Sequence, residues 1–373
     1  MKKYLSLFFA LIICLIPLTS CGSSDAGSTI KVDAVSQAVY DQFKDQNITI
    51  NVYNWGQYIA DGTNGSIDVN EEFTRLTGIK VNYTTFDSCE TMYTKLKTGG
   101  ANYDVIIPSD YMIGRLINED MLEELDFENI PNYQNIDSSY KDQSYDPENK
   151  YSVPYTWGTV GIIYNSKYVK EAPTGWEALW DEQYSGNILM FDNQRDAFCI
   201  AQLLLGYDIN TQDESELEQC KAKLEEQKPL VAQYVMDQIY DKMIYEEAYI
   251  APYYAGDFLQ MKAENPDLEF VFPSQGYNLY IDACCIPKGA EHKAAAEAYI
   301  NFLCTAEISG KNMDYVGYST PISAAREYLS EEMAQSKIAY PDEDTLSRGI
   351  AYSALPSTVS QFVDNLWTKV KAS

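Results

Sequence analysis

Ile48-Thr49-Ile50-Asn51-Val52-Tyr53-Asn54-Trp55 opens the segment on which the fold turns, and Tyr103-Asp104-Val105-Ile106-Ile107-Pro108-Ser109 closes it. The first run alternates apolar and polar residues over part of its length and reads as a strand. Val69, Phe73 and Leu76 follow at helical spacing, and Gly78 stops that helix. Residues 79–86 are rich in β-formers. Asp87 with Glu90 three residues later predicts a capping box for a helix carrying Met92 and Leu96, ended by Gly99-Gly100. The closing run predicts a buried strand. The order is βαβαβ, which predicts a parallel sheet with helices on its faces. Ligands on such sheets gather beyond the C-terminal strand ends. Trp55, Phe86 and Ser109 all stand at such ends.

Outward from this segment the style repeats less clearly. Residues 187–191 predict a short strand leading into the polar turn at 192–196. Residues 279–287 predict another strand, and the alanine-rich run 291–303 a helix. Val359, Phe362, Val363, Leu366, Trp367 and Val370 fall on one face of a final helix. Residues 28–46 have weak apolar spacing and read either as a helix or as a loose segment, so the folded part is expected to start near Ile48.

The N-terminus says where the protein works. Lys2 and Lys3, an apolar run to Leu18, then Thr19, Ser20 and Cys21 describe a secretory signal with a lipidation cysteine. The run is short for a membrane span and contains Pro17. Gly22 to Gly27 reads as a flexible tether. The expectation is a lipoprotein held on the outer face of the cytoplasmic membrane, at a cell surface or in a periplasm.

The 373 residues suffice for two α/β lobes with a core each. A net charge of −28 argues against nucleic acid, whose phosphates would be repelled, and is compatible with a cationic ligand. It is equally compatible with a solvated acidic surface. Thirty-one tyrosines suit a wet cleft or sheet edges. The eight cysteines show no metal spacing and no disulfide framework. Cys284 and Cys285 read as buried small hydrophobes. His292 is the only histidine, which argues against a histidine-based triad. There is no phosphate loop or nucleophile elbow, and no cofactor is expected. Tyr253-Tyr254 would suit a ferric ion or an aromatic cleft wall. What remains is aromatics and carboxylates at strand ends, a combination that suits alkylammonium groups joined by methylenes.

Several runs resemble one family in order and spacing: Tyr53-Asn54-Trp55 with Tyr58, residues 90–98 (ETMYTKLKT), residues 103–111 (YDVIIPSDY), residues 151–158 (YSVPYTWG) and residues 317–321 (GYSTP). They are similar to the spermidine/putrescine-binding proteins that serve polyamine ABC transporters. The resemblance implies a two-lobed periplasmic-binding-protein-like α/β fold of type II with two hinge crossovers and the ligand in the interlobe cleft. It implies lobe one at 48–158 plus 283–328 and lobe two at 159–282 plus 329–373, after a signal at 1–20 and a lipidated Cys and tether at 21–47. It implies a monomeric, non-enzymatic receptor that hands a polyamine to an ABC permease.

The implied ligand contacts are Trp55, Tyr58, Ser109, Tyr111, Asn193, Asp196, Tyr254, Tyr280, Asp282, Tyr318 and Tyr352. Asp282 matches the family's central carboxylate, two residues past Tyr280 and so on the same strand face. Tyr254 and Tyr280 replace tryptophans that sandwich the methylene chain. Asn193 replaces a second carboxylate and supplies an acceptor without charge. Gly56 stands where a hydroxyl residue is usual. These departures are expected to reduce charge in the cleft and leave the choice between spermidine and putrescine open. The competing readings are a receptor of the same fold for ferric ion or another organic cation, and a surface hydrolase with paired carboxylates.

Overall fold

The computed structural model describes residues 30–99 and 102–373. The signal segment, Cys21 and the Gly/Ser stretch lie outside the described residues. Ten strands form one continuous array: β1 Thr49–Trp55, β2 Lys80–Phe86, β3 Val105–Ile106, β4 Ser152–Asn165, β5 Ile188–Phe191, β6 Val231–Val235, β7 Ile250–Tyr254, β8 Leu268–Val271, β9 Tyr277–Cys285 and β10 Gly349–Ile350. The order is β2-β1-β3-β9-β4-β7-β5-β6, with β10 on β9 and β8 on β4.

The opening βαβαβ unit forms as its sequence predicts. β1 lies between β2 and β3 and is parallel to both. Helix Val69–Thr77 makes the first crossover; Asp68 caps it and Gly78, at φ 78°, ends it in the left-handed conformation. Helix Cys89–Lys97 makes the second. Its cap is Ser88 rather than the expected Asp87, because Ser88 keeps extended backbone and its hydroxyl accepts from Thr91 N at 3.1 Å. Glu90 is thereby released from a capping role, and Tyr111 Oη donates to its carboxylate at 3.0 Å.

A second unit mirrors the first. β5 is parallel to β6 and β7, and helices Gln194–Leu205 and Glu214–Gln227 lie between β5 and β6 in the chain. The two units are joined by antiparallel strands. β4 pairs with β9 from Ser152 to Thr159 and with β7 from Val160 to Tyr164. All but one of its fourteen residues are buried, as a strand covered on both faces requires. This is the two-lobed solute-binding architecture, with β4 and β9 running between the lobes. The C-terminal ends of β1, β2, β5, β6 and β7 all open toward the junction.

The N-terminal expectation is corrected. Residues 34–41 form a helix capped by Asp33, whose carboxylate accepts from Val35 N and Ser36 N. Val39, Tyr40 and Phe43 are buried in the main core, and Tyr40 Oη accepts from Asn301 Nδ2 at 2.9 Å. The packed body therefore includes Ile30 onward, and any tether is shorter than residues 21–47. Only three apolar side chains anchor this helix, too few for a clear periodic signal.

The last helix, Ser357–Ala372, buries Val363, Leu366, Trp367 and Val370. Six cysteines among the described residues are free and buried, Cys284 and Cys285 included. No helix among the described residues is long and apolar enough to cross a membrane.

Candidate ligand-binding site

A cleft between the lobes brings together all eleven side chains singled out from the sequence: Trp55, Tyr58, Ser109, Tyr111, Asn193, Asp196, Tyr254, Tyr280, Asp282, Tyr318 and Tyr352. Trp55, Tyr58, Ser109, Asn193, Asp196 and Tyr254 come from strand ends and the segments that follow, which is where this topology places a site, while Tyr280 and Asp282 lie within β9 and Tyr318 follows a helix. Asp87, Asp237, Asp257, Tyr240, Tyr253 and Asn278 complete most of the wall. Five aspartates line the cleft, and none of the described lining residues is basic.

Asp282 sits deep, on β9, opposite Thr156 of β4. Tyr58 Oη donates to its Oδ2 at 2.5 Å, and Ser109 faces Asp282 across an antiparallel bridge. Oδ1 is buried and has no donor among the described residues. Burial pushes the Asp282 carboxyl up to about 6. Asp196, in the first turn of helix Gln194–Leu205, accepts from Tyr254 Oη at 2.7 Å and Tyr352 Oη at 3.0 Å. Its carboxyl is raised as well, again by burial, while the two phenols oppose the shift. Tyr352 is thus tied directly to the site.

Asp257 was not foreseen. It follows β7 by three residues, in the first turn of helix Ala255–Glu264, where a carboxylate also suits the helix dipole. Tyr240 Oη donates to it at 2.5 Å, the Tyr318 phenol lies near enough to oppose its shift, and burial pushes it up to about 7. The signal was present in outline, an acid just past a strand-end aromatic; Asp196 was named through the family resemblance, which does not include Asp257. Glu90 was missed as well. Its partner Tyr111 lies edge-on to Tyr352, with ring centroids 5.8 Å apart, and burial raises Glu90 to about 7.

Three expectations change. Asn193 lines the cleft but is the cap of its helix: Oδ1 accepts from Arg195 N at 2.7 Å and Asp196 N at 3.3 Å. Its acceptor is committed to the backbone, so the expected acceptor for a ligand is not free there. Tyr254 and Tyr280 do not face each other as parallel plates; they meet edge to face at 5.5 Å and 80°. The cleft is also not depleted of charge, because Asp87, Asp237 and Asp257 add carboxylates that the sequence match does not contain.

Aromatic packing frames these acids. Trp55 leans on Phe86, with centroids 4.6 Å apart, and its Nε1 is buried without an acceptor among the described residues. Tyr58 and Tyr318 pack edge to face at 4.8 Å. Gly256 lets the Tyr318 ring lie directly on its helix, since a Cβ there would enter the ring. Tyr253 stacks on Phe191, and Tyr254 is bonded to Asp196, so the two adjacent phenols serve different neighbours. Asp282 and Asp257 are both shifted upward by the same cause.

The arrangement suits cations: five clustered carboxylates, one of them with a buried oxygen that has no donor among the described residues, walled by electron-rich ring faces.

The profile of the family described as bacterial extracellular solute-binding protein matches residues 69–341. The chain is 34% identical to the spermidine/putrescine-binding periplasmic protein of Escherichia coli, over 88% of this chain and 93% of the relative. It is 32% identical to spermidine/putrescine-binding periplasmic protein 1 of Haemophilus influenzae, over 100% of each chain. Among solved structures, the spermidine/putrescine ABC transporter substrate-binding protein PotD of Streptococcus pneumoniae, in complex with calcium and HEPES, superposes with a TM-score of 0.74 at 38% identity, covering 87% of this chain and 99% of that one. The Tp0655 lipoprotein of Treponema pallidum gives 0.76 at 27% identity, covering 86% and 99%.

Proposed function

The chain belongs to the bacterial extracellular solute-binding proteins, and from that premise we propose that it is a polyamine receptor, delivering spermidine or putrescine to an ABC transporter permease. One observation carries the reading: the cleft presents five carboxylates and no base among its described lining residues, with Asp282 Oδ1 buried and without a donor. An alkylammonium supplies that donor. A hydrogen bond to a charged group contributes about 1.5–3 kcal/mol. The methylene chain lies against Trp55, Tyr254 and Tyr280, and a cation over such a ring gains about 0.5–2 kcal/mol. Micromolar affinity needs about 8 kcal/mol net, which a few such contacts reach after ordering costs.

In this reading Asp282 holds a central amine, and Asp196, steadied by Tyr254 and Tyr352, holds an amine toward one end. Tyr58 keeps Asp282 oriented. The lobes, taken as 48–158 with 283–328 and 159–282 with 329–373, close about β4 and β9 and present the loaded form to the permease. The protein performs no chemistry on its ligand. It acts as a monomer, tethered outside the cell through a lipidated Cys21.

Thermal denaturation tests the proposal. A ligand at one hundred times its Kd stabilises the fold by about 2.7 kcal/mol. Spermidine or putrescine should therefore raise Tm by several degrees, while sodium chloride of equal ionic strength should not. A Tm unmoved by either polyamine at millimolar concentration would overturn the reading.

A further inference from the structure

Gly56 follows β1 on one side of the cleft, and Asp237 follows β6 on the other. A Cβ placed on Gly56 would lie 2.7 Å from Asp237 Oδ2. Gly56 is not among the glycines with positive φ, so its backbone would accept other residues. A side chain at position 56 would occupy the place where the Asp237 carboxylate lies and would push it aside. No donor among the described residues is bonded to that carboxylate, and no base lines the cleft beside it.

The acids of the cleft fall into a sequence. Asp282 feels the charge of Asp196, Asp257 feels Asp237, and Asp237 feels Asp87. Asp237 stands beside Gly56, whereas Asp196 is bonded to Tyr254 and Tyr352, so the two acids occupy different places on the cleft wall. A diamine can satisfy its two charges on neighbouring acids. A triamine has a third charge to place and the length to reach a further one.

We infer that Asp237 holds a terminal ammonium of a triamine, at a place on the cleft wall distinct from Asp196, and that the absence of a side chain at Gly56 leaves that carboxylate its place. The inference rests on the polyamine reading and sharpens it. The hydroxyl residue usual at position 56 is replaced by a charge from the opposite lobe. Asp237 is then a specificity residue: it favours spermidine over putrescine. Both lobes contribute, so the contact forms only when they come together, and a ligand ammonium relieves the repulsion between Asp237 and Asp87.

The test is calorimetric titration of the full chain and its Asp237→Asn, Gly56→Thr and doubly substituted forms with spermidine and with putrescine, each form checked for an unchanged circular dichroism spectrum. Asp237→Asn is isosteric and exposed, so folding is not at stake. It should raise the Kd for spermidine about tenfold or more and that for putrescine less than about threefold. Gly56→Thr should do the same. The double variant should lose less than about threefold beyond Asp237→Asn, because both changes remove one contact. An unchanged spermidine Kd in Asp237→Asn, or an equal loss for both ligands, would overturn the assignment while leaving the polyamine reading intact. Wild-type protein that binds neither ligand would overturn both.

Discussion

Tyr58 donates a 2.5 Å hydrogen bond to one carboxylate oxygen of Asp282, while the other oxygen is buried with no donor among the described residues. The pair fixes the orientation of a charge and leaves half of it unsatisfied. A buried carboxylate is costly unless it is paired, so the site is strained toward accepting a cation.

Asp282→Asn should weaken polyamine binding by about 2–5 kcal/mol, the range for removing one partner of a buried charge pair. Tyr58→Phe should cost less, about 1.5–3 kcal/mol, since the charge stays and only its orienting bond is lost. Titration of both variants at pH 8 checks this. An unchanged Kd in Asp282→Asn would remove that residue from the site.

Affinity should rise with pH between 5.5 and 8. Burial holds Asp282 near 6 and Asp257 near 7, and an ammonium is bound by their ionised forms. The stability of the ligand-free fold should move the other way. These carboxyls titrate higher when folded than unfolded, so the folded state holds more protons in the window between the ordinary carboxylate range and about 7. Their contribution is complete below the unfolded pKa and is lost as pH rises through the folded one. Melting curves with and without spermidine across this window should show a ligand-induced shift that grows with pH. A shift that shrinks with pH would contradict the assignment of these acids.

Gly256→Ala should displace the Tyr318 ring, against which a Cβ would collide. Overpacking of this kind costs about 1–3 kcal/mol of stability. Polyamine affinity should fall with it, because Tyr318 braces both Tyr58 and Asp257. Denaturant melts together with titration check the two effects separately.

Tyr40→Ala should cost about 3–5 kcal/mol, as for other large aromatic truncations in a core. Tyr40 is fully buried and its hydroxyl is bonded to Asn301. A loose N-terminal segment would instead tolerate the change, so urea unfolding distinguishes a packed helix at 34–41 from a tether.

The fold was legible because the βαβαβ unit carries its own punctuation. Asp68 and Gly78 bound one helix, and Trp55, Phe86 and Ser109 mark the strand ends that meet at the cleft. The cleft aromatics and Asp196 and Asp282 could be named because each lies in a recognisable run. Asp237 could not, because its meaning lies in its nearness to Gly56, which brings together segments far apart in the chain. Asn193 reads in sequence as a polar group facing a ligand, and only the backbone geometry reveals that its oxygen caps a helix. Glu90 reads as a capping residue, and one residue of shift in the helix start turned it toward Tyr111 instead.

The most direct test of the central claim is isothermal titration of the full chain with spermidine and with putrescine, after unfolding and refolding to strip any carried-over ligand. We expect saturable one-to-one binding with a Kd of about 1 µM or tighter for at least one of them, that is, about 8 kcal/mol or more. No heat with either ligand, from protein with a cooperative thermal transition, would contradict the account.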